Sequence, residues 1–359
     1  MRIAMFSYGL PVRHQKRGGI ERVAHEMAQG LAERGHTVVV LSHDPAPSGA
    51  RYVVQPLPWK KFVDSWIGRR MTMGYLGNVL AVMPDYRTFD VVIAHGDSLL
   101  LPLARRPLIR VMHGSALEEA IHSTSAGRFL LQCGVYVQEL TTALFQSGTV
   151  AVSENTRRSN PFVHRVIANG VNTRVFRPAP REKTEAPSIV FVGAQGGRKR
   201  GQFLLDVFAA RIKPVHPDAQ LMFVGPAGAA LPGVTYHTGV DDEELASLYR
   251  RAWVCASPSS YEGFGLPYLE ALACGTAVVA TANPGSLEVL DGGRFGRIVS
   301  DGDFASAVLA LLQDAASRRA LEAAGIQRAE EFSLSHMIDR YERLLAEVVC
   351  TDAQSITTA

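Results

Sequence analysis

The chain has 359 residues, of which 47% are hydrophobic and 20% charged, and its formal net charge at pH 7 is +3. This length exceeds one ordinary hydrophobic core and favours two α/β domains, while the small net charge gives no indication of nucleic-acid binding. No apolar run reaches the roughly 20 residues that span a bilayer, and the four cysteines lack the spacing of a metal site or a disulfide framework. We therefore expect a cytoplasmic protein without a metal.

The first half alternates short apolar runs with one clear helical pattern. The run 3–8 predicts the first strand rather than a signal peptide, and Gly18 and Gly19 follow in the loop before a helix. Apolar residues recur at helical spacing from Ile20 to Leu31, and Gly35 is expected to end that helix. Further apolar runs predict strands of a parallel sheet covered on both faces. They lie at residues 37–41, 90–94, 108–112 and 149–152.

A polar, proline-containing stretch at 177–187 predicts a boundary, which divides the chain into domains 1–172 and 173–333. Beyond it the pattern restarts with apolar runs at 188–192 and 219–224 and a capping box at 241–244. Two doubly wound units of this kind would face one another and bind their ligand outside the carboxyl ends of both sheets.

One glycine-rich elbow carries two carboxylates. The apolar run 253–256 predicts a buried strand, and Gly263 and Gly265 let the backbone turn closely around a ligand. Pro267 suits the first position of a helix that runs to about residue 274, so Glu262 would lie in the loop and Glu270 in the first helical turn. Free N–H groups at a helix start attract phosphate, and a carboxylate accepts paired hydrogen bonds from a diol. The alternative is a local helix cap with a solvated glutamate.

The elbow, together with the later run 275–280, resembles the Glu-x7-Glu signature of the retaining glycosyltransferases of family 4. The resemblance implies the GT-B fold, in which two Rossmann-like domains face each other and a last helix, here about 334–350, returns to the first domain. It also implies that Glu262 contacts the transferred sugar and that Glu270 holds the ribose of the donor. The donor would further contact the backbone between them, at Gly263, Phe264, Gly265 and Leu266.

Five other places match this family, and three of them would contact the substrates through glycines or side chains. Gly18 and Gly19 would lie over the donor diphosphate and the acceptor, although a tight helix entry would use the same glycines. His113 would contact the transferred sugar or the acceptor, although a lone histidine after a strand is more often an ordinary loop residue. Gly193, Arg198 and Lys199 would bind the diphosphate after the first strand of the second domain, with a solvated basic turn as the alternative.

Within the same family pattern, Val240 resembles the segment whose backbone meets the nucleobase. The motif at 169–171 resembles the family's hinge, where Asn172 replaces the usual aspartate, and we expect it to be structural. The family often carries an arginine directly after the glycine of the phosphate-binding turn, whereas this chain has Ala194 there.

The stretch 59–70 places aromatic and aliphatic residues on one helical stripe with lysines and arginines around it. This pattern is typical of a basic helix on an anionic membrane surface, although a helix packed in the core would give the same stripe. Residues 51–110 carry nine basic and four acidic side chains. We therefore expect a hydroxyl acceptor, namely a glycan, a lipid-linked compound or a small molecule, and the hypothesis from this stretch is an anionic or lipid-linked one. The protein would lie in the cytoplasm or at the inner membrane surface.

The sequence lacks the glycine fingerprint of nicotinamide dehydrogenases and the lysine motif of P-loop enzymes. We therefore expect a retaining, metal-independent glycosyltransferase that moves a hexose-type sugar from a UDP- or GDP-type donor without a cofactor. A non-hydrolysing sugar-nucleotide epimerase of the same fold and a non-catalytic sugar-nucleotide-binding subunit are the alternatives.

Overall fold

The computed structural model describes residues 1–11, 18–57, 82–96, 100–121, 123, 125–144, 146–179 and 182–357. The stretch 59–70 lies outside the described residues. The chain forms two compact units, which divide after Asn169 and after Ser333. The first unit combines residues 1–169 with the chain from Leu334 onward, and the second unit is Gly170–Ser333.

The first unit is built on a parallel sheet of seven strands, in the order β3-β2-β1-β4-β5-β6-β7. Its strands are β1 Arg2–Phe6, β2 Thr37–Ser42, β3 Val53–Pro56, β4 Val91–His95, β5 Leu108–Met112, β6 Gly148–Ala151 and β7 Arg165–Val166. Its described helices are α1 Gly19–Glu33, α2 Ala116–Ile121, α3 Ala126–Ala143, α4 Glu154–Arg158 and the C-terminal helix Leu334–Thr357, with a 3-10 turn at Leu101–Ala104.

The central strands of this sheet are buried on both faces, as the apolar runs predict. Every residue of β4 and β5 is buried, and Phe6, Leu41 and Val92 belong to one hydrophobic core cluster. Gly35, with φ +88, follows α1 in the left-handed conformation that ends many helices.

The C-terminal helix packs on α1 within the first unit. Ile338 is 1% exposed and lies against Gly30, where a Cβ atom would approach its Cγ1 to 2.8 Å. Arg34 forms ion pairs with Asp339 at 2.5 Å and with Glu342. The glycine therefore permits a close approach of the two helices, which a larger residue would prevent.

Because of this close approach, we expect Gly30→Ala to lower the free energy of unfolding by about 1 kcal/mol or more, since Ile338 is buried and has to shift. Gly127→Ala is the matched control, because that helical glycine has open space around it. Alanine there should raise the free energy of unfolding by less than about 0.5–1 kcal/mol, the gain in a helix interior, because Gly127 lies in the first turn of α3. Urea unfolding of both variants gives the comparison, and equal shifts of the same sign would contradict the close approach.

The second unit contains a parallel sheet of six strands, in the order β10-β9-β8-β11-β12-β13. Its strands are β8 Ser188–Val192, β9 Gln220–Val224, β10 Val234–His237, β11 Val254–Ser257, β12 Ala277–Thr281 and β13 Arg297–Val299. Its described helices are α5 Gly201–Val207, α6 Asp242–Arg251, α7 Leu266–Ala273, α8 Pro284–Val289, α9 Asp301–Gln313 and α10 Ala315–Glu331, so the C-terminal helix is α11. Short 3-10 or π turns lie at Gly197–Lys199, Phe208–Ile212 and Asp291–Gly293.

Strand order reverses once in each sheet, between β1 and β4 in the first unit and between β8 and β11 in the second. The fold is thus α/β with two doubly wound parallel sheets, which confirms the predicted class. Ligands of such sheets bind beyond the carboxyl ends of the strands at the point of reversal. Among the described helices, none is both long and apolar enough to cross a membrane.

Candidate active site

The glycine-rich elbow leaves β11 at Ser257 and enters α7 at Leu266. Gly265 precedes the helix with φ +97, and a Cβ there would lie 2.5 Å from the ring of Tyr268. Pro267 is the second helical residue rather than the predicted first, and Glu270 is the fifth. The prediction of Glu270 in the first turn was therefore wrong, because the left-handed glycine starts the helix one residue earlier than the proline signal indicated.

Glu262 is a buried carboxylate at the centre of an ionic cluster. Its side chain is 6% exposed, and its two oxygens lie 2.5 Å from Lys199 Nζ and 2.7 Å from an Arg198 nitrogen. The Arg198 guanidinium also donates to the Tyr261 carbonyl at 2.8 Å. The structure thus brings Glu262 next to Arg198 and Lys199, which lie far from it in the sequence, because β8 and β11 are neighbours at the reversal point of the sheet.

The protonation state of Glu262 follows from this cluster. Burial by itself would raise the pKa of the carboxyl group, but the positive charges of Lys199 and Arg198 outweigh burial and hold the pKa below its ordinary value. Glu262 is therefore an anion at neutral pH. It neutralises part of the positive charge on the turn after β8 and fixes the position of both cations.

The basic turn after β8 divides into two parts. Arg200 has φ 53 and pairs with Asp301 at 2.6 Å, away from the Glu262 cluster. By contrast, the Arg198 carbonyl accepts a hydrogen bond from the Ser260 N–H at 2.9 Å. Gly193 permits the Lys199 side chain to pack closely at the end of β8, because a Cβ on Gly193 would lie 3.0 Å from that side chain.

The segment after β12 supports Glu262 from its other side, which the sequence pattern did not reveal. The Gly285 N–H donates to the Glu262 carbonyl at 2.9 Å, and a Cβ on Gly285 would lie 2.9 Å from the Glu262 Cβ. The Asn283 amide donates to the carbonyls of Ser259 and Thr281, each at 3.0 Å. A buried asparagine after a strand, just before a helix-starting proline, is the signal that could have indicated this support.

Glu270 lies deeper than Glu262 and is 2% exposed. One of its oxygens accepts a hydrogen bond from the Tyr249 hydroxyl at 3.2 Å. Burial and the nearby Glu270 carboxylate raise the pKa of Tyr249 well above its ordinary value, so that this hydroxyl keeps its proton. Tyr249 therefore orients the carboxylate from α6.

The other predicted donor contacts lie in the same unit. Phe264 is 4% exposed and packs edge-on against Phe332 with 5.8 Å between ring centroids. Gly263 and Leu266 flank it and are half-buried. Val240 is half-buried in the turn between β10 and α6, next to Gly239 with φ +66.

The remaining predicted residues belong to the first unit. Gly18 is the N-cap of α1 and Gly19 its first residue, and both are exposed. A Cβ on Gly18 would lie 2.9 Å from a Glu21 carboxylate oxygen, so this glycine allows the helix start to approach the Glu21 side chain. A cavity of about 180 Å³ lies beside it, lined by residues 7–9, 20–21 and 95–96.

His113 follows β5 as predicted and contacts a second histidine that the sequence analysis missed. His95 Nδ1 lies 2.8 Å from His113 Nε2, and the two rings stack with 5.1 Å between centroids. His95 ends β4, is 2% exposed and lines the cavity. The signal that located His113, a histidine at the carboxyl edge of a predicted strand, also applied to His95.

Both histidines are neutral at pH 7. Burial lowers the pKa of His113 to about 4. The pKa of His95 is lowered well below 6.5, first by burial and second by the neighbouring His113. Among the residues that the structure describes, no group of three or more histidine, cysteine, aspartate or glutamate side chains is arranged to hold a metal ion.

Because the pKa of both histidines is lowered in the folded protein, we expect the free energy of unfolding to depend on pH. In the unfolded chain both histidines bind a proton near their ordinary pKa of 6.5. The unfolded state therefore binds more protons between pH 6.5 and about 4, and we expect the free energy of unfolding to fall as the pH drops through this window. Urea unfolding at several pH values tests this. A double variant, His95→Gln with His113→Gln, should lose part of the slope, and an unchanged slope would contradict the prediction.

Two family models match the chain in succession. The model described as Glycosyltransferase Family 4 matches residues 17–175, and the model described as Glycosyl transferases group 1 matches residues 186–314. The phosphatidyl-myo-inositol mannosyltransferase of Propionibacterium freudenreichii is 28% identical over 339 residues, with 87% of this chain and 86% of that protein covered. The glycogen synthase of Mycobacterium tuberculosis is 27% identical over 384 residues, with 89% and 88% covered.

Solved structures with the same fold include glycosyltransferases. Sucrose-phosphate synthase from Thermosynechococcus elongatus matches with a TM-score of 0.81 and 21% identity, over 98% of this chain and 99% of that one. HepE of Anabaena in complex with UDP and glucose matches with a TM-score of 0.73 and 16% identity, over 96% and 99%. The chain therefore belongs to the family 4 glycosyltransferases, which have the GT-B fold.

Proposed function

We propose that this glycosyltransferase moves a hexose-type sugar from a nucleoside diphosphate to a hydroxyl acceptor, with retention of configuration and without a metal ion. The observation that carries the proposal is the cluster of Glu262 with Arg198 and Lys199 at the carboxyl edge of the second sheet. It places two cations and a fixed anion where such sheets bind ligands.

The two cations would bind the donor diphosphate. A guanidinium has five N–H donors and an ammonium three, so Arg198 and Lys199 can contact phosphate oxygens while they remain paired with Glu262. Arg198 is suited to this role because its side chain is 54% exposed. The same positive charge would stabilise the diphosphate as it leaves, which is the task of a divalent cation in other transferases.

Glu262 would stabilise the sugar as the bond to the diphosphate breaks. A buried, ionised carboxylate favours the positive charge of an oxocarbenium-like transition state. We propose that the acceptor attacks from the face that the diphosphate leaves and that a phosphate oxygen takes its proton. His113 would contact a sugar hydroxyl.

The rest of the donor would bind along the same edge. Glu270 would accept hydrogen bonds from the ribose hydroxyls, and the backbone near Val240 would contact the nucleobase. HepE binds UDP and UDP-glucose, which supports a UDP-type donor, while a GDP-type donor remains the second candidate.

For the acceptor, we propose an anionic or lipid-linked alcohol at the inner membrane surface. The relative named phosphatidyl-myo-inositol mannosyltransferase supports this class, as does the basic excess of residues 51–110. Sedimentation with vesicles that contain anionic lipids tests the membrane contact, and recovery of the protein only in the supernatant would contradict it.

Binding and transfer can be tested in sequence. A ligand that binds only the native state raises the melting temperature. At a free ligand concentration of 100 times its Kd, it stabilises the native state by about 2.7 kcal/mol. We expect a shift with UDP or GDP in the presence of EDTA, and transfer of the sugar with the anomeric configuration of the donor. If the melting temperature rises only when a divalent cation is present, the metal-independent part of the proposal is overturned. A product with the inverted anomeric configuration would overturn the retaining part. Release of an epimerised nucleotide sugar would instead indicate the epimerase.

A further inference from the structure

The hydrogen bond between His95 and His113 can have either ring as its donor, and the surroundings of His95 decide which ring donates. Each ring is neutral at pH 7 and so carries one proton. One of the two facing nitrogens, His95 Nδ1 or His113 Nε2, must carry a proton to make the 2.8 Å hydrogen bond between them. The proton on one ring therefore determines where the other ring carries its own.

The second nitrogen of His95 decides between the two arrangements. Nε2 is buried and has no hydrogen-bond partner among the described residues. If His113 donated, His95 would carry its proton on Nε2, as a buried N–H without an acceptor. Buried N–H groups without an acceptor are rarer and less favourable than buried acceptors without a donor. The favoured arrangement has the His95 proton on Nδ1, where it is used in the hydrogen bond.

We propose that His95 is a positioning residue that donates from Nδ1 to His113 Nε2 and thereby fixes His113 in its Nδ1–H tautomer. His113 then presents a hydrogen-bond donor on its outer nitrogen and contacts an oxygen of its ligand as a donor, not as a base. Only the statement that this ligand is the transferred sugar rests on the proposed function. Stacking of the rings, with an interplanar angle of 23°, holds the orientation of His113 as well.

The tautomer can be measured without a substrate. Nitrogen-15 spectra of protein labelled at histidine distinguish the protonated ring nitrogen from the bare one, and a His113→Gln variant assigns the signals of His113. In the wild type we expect the proton of His113 on Nδ1. A proton on Nε2 in the wild type would overturn the proposal by itself.

Two substitutions at His95 then test the cause. His95→Phe keeps a ring but removes the hydrogen bond, so His113 should change to a mixture of tautomers. His95→Asp offers only acceptors at the position of Nδ1, so the proton of His113 should move to Nε2. An unchanged tautomer in a variant that keeps the wild-type melting behaviour would overturn the proposal, and the wild-type spectrum remains decisive if neither variant folds.

A double-mutant cycle links the tautomer to transfer. We expect His95→Phe to lower kcat about 10-fold, which is the upper end of the effect of losing one neutral hydrogen bond. In a His113→Phe background the same change should have less than about a twofold effect, because its target is absent. Equal losses in both backgrounds would indicate a structural role only. If the tautomer shifts and transfer does not change, the relation between the histidines holds, and the proposed contact of His113 with the sugar fails.

Discussion

Glu262→Gln is expected to lower kcat by about 10²- to 10³-fold, the usual cost of removing one electrostatic group from a preorganised site. The amide keeps the size of the side chain but removes the charge that is buried between Lys199 and Arg198. Without that anion, both cations lose their fixed positions and the developing positive charge on the sugar loses its partner. Steady-state kinetics with a saturating donor should place most of the loss in kcat.

Asp301→Asn is the matched control for this prediction. Asp301 pairs with Arg200 in the same basic turn, so the substitution removes an equal charge from a neighbouring ion pair outside the Glu262 cluster. We expect kcat to change less than about threefold, because an exposed ion pair contributes little. Similar losses in both variants would show that the charge of the whole turn matters, and not the position of Glu262.

Glu270→Gln is expected to weaken donor binding by about 10- to 100-fold, which corresponds to the loss of charge-assisted hydrogen bonds worth roughly 1.5–3 kcal/mol. Because the ribose does not react, its contacts should be similar in the ground and transition states, and kcat should change little. Calorimetric titration with the nucleoside diphosphate measures the effect directly. A large fall in kcat with unchanged affinity would reverse the roles of Glu262 and Glu270.

Tyr249→Phe distinguishes the effect of the Glu270 carboxylate from the effect of the hydroxyl that orients it. The variant removes only the hydroxyl that donates to Glu270 and leaves the charge in place. We expect a loss of affinity of a few-fold at most, since the hydroxyl acts on the donor only by orienting Glu270, whose charge remains. A loss as large as that of Glu270→Gln would indicate that orientation, and not charge, limits binding.

The sequence predicted the central strands of each sheet but not the edge strands. The central strands have continuous apolar runs because both faces are buried, whereas the edge strands β3, β7, β10 and β13 are largely half-buried or exposed. Polar residues interrupt such strands, so hydrophobic periodicity alone does not distinguish them from loops. The class of fold was thus predictable, and the full extent of each sheet was not.

A similar limit applies to the candidate site. A local pattern places Glu262 at an elbow and Arg198 in a turn, but their 2.7 Å contact depends on the adjacency of β8 and β11. The same holds for Gly285, whose need for a small side chain arises from its contacts with Phe264 and Glu262 in the elbow. His95 could have been found from the sequence, but the lack of a partner for its Nε2 among the described residues follows from packing alone.

The return of α11 to the first unit has a consequence for synthesis. The second unit, Gly170–Ser333, is inserted within the first unit, which needs the chain from Leu334 onward for the buried contact of Ile338 with Gly30. During translation, domains fold as their sequences emerge. All residues of the inserted unit leave the ribosome before the first unit is complete. Of the two units, the first is therefore the last to complete its core, and α1 obtains its partner helix only after the inserted unit has been synthesised.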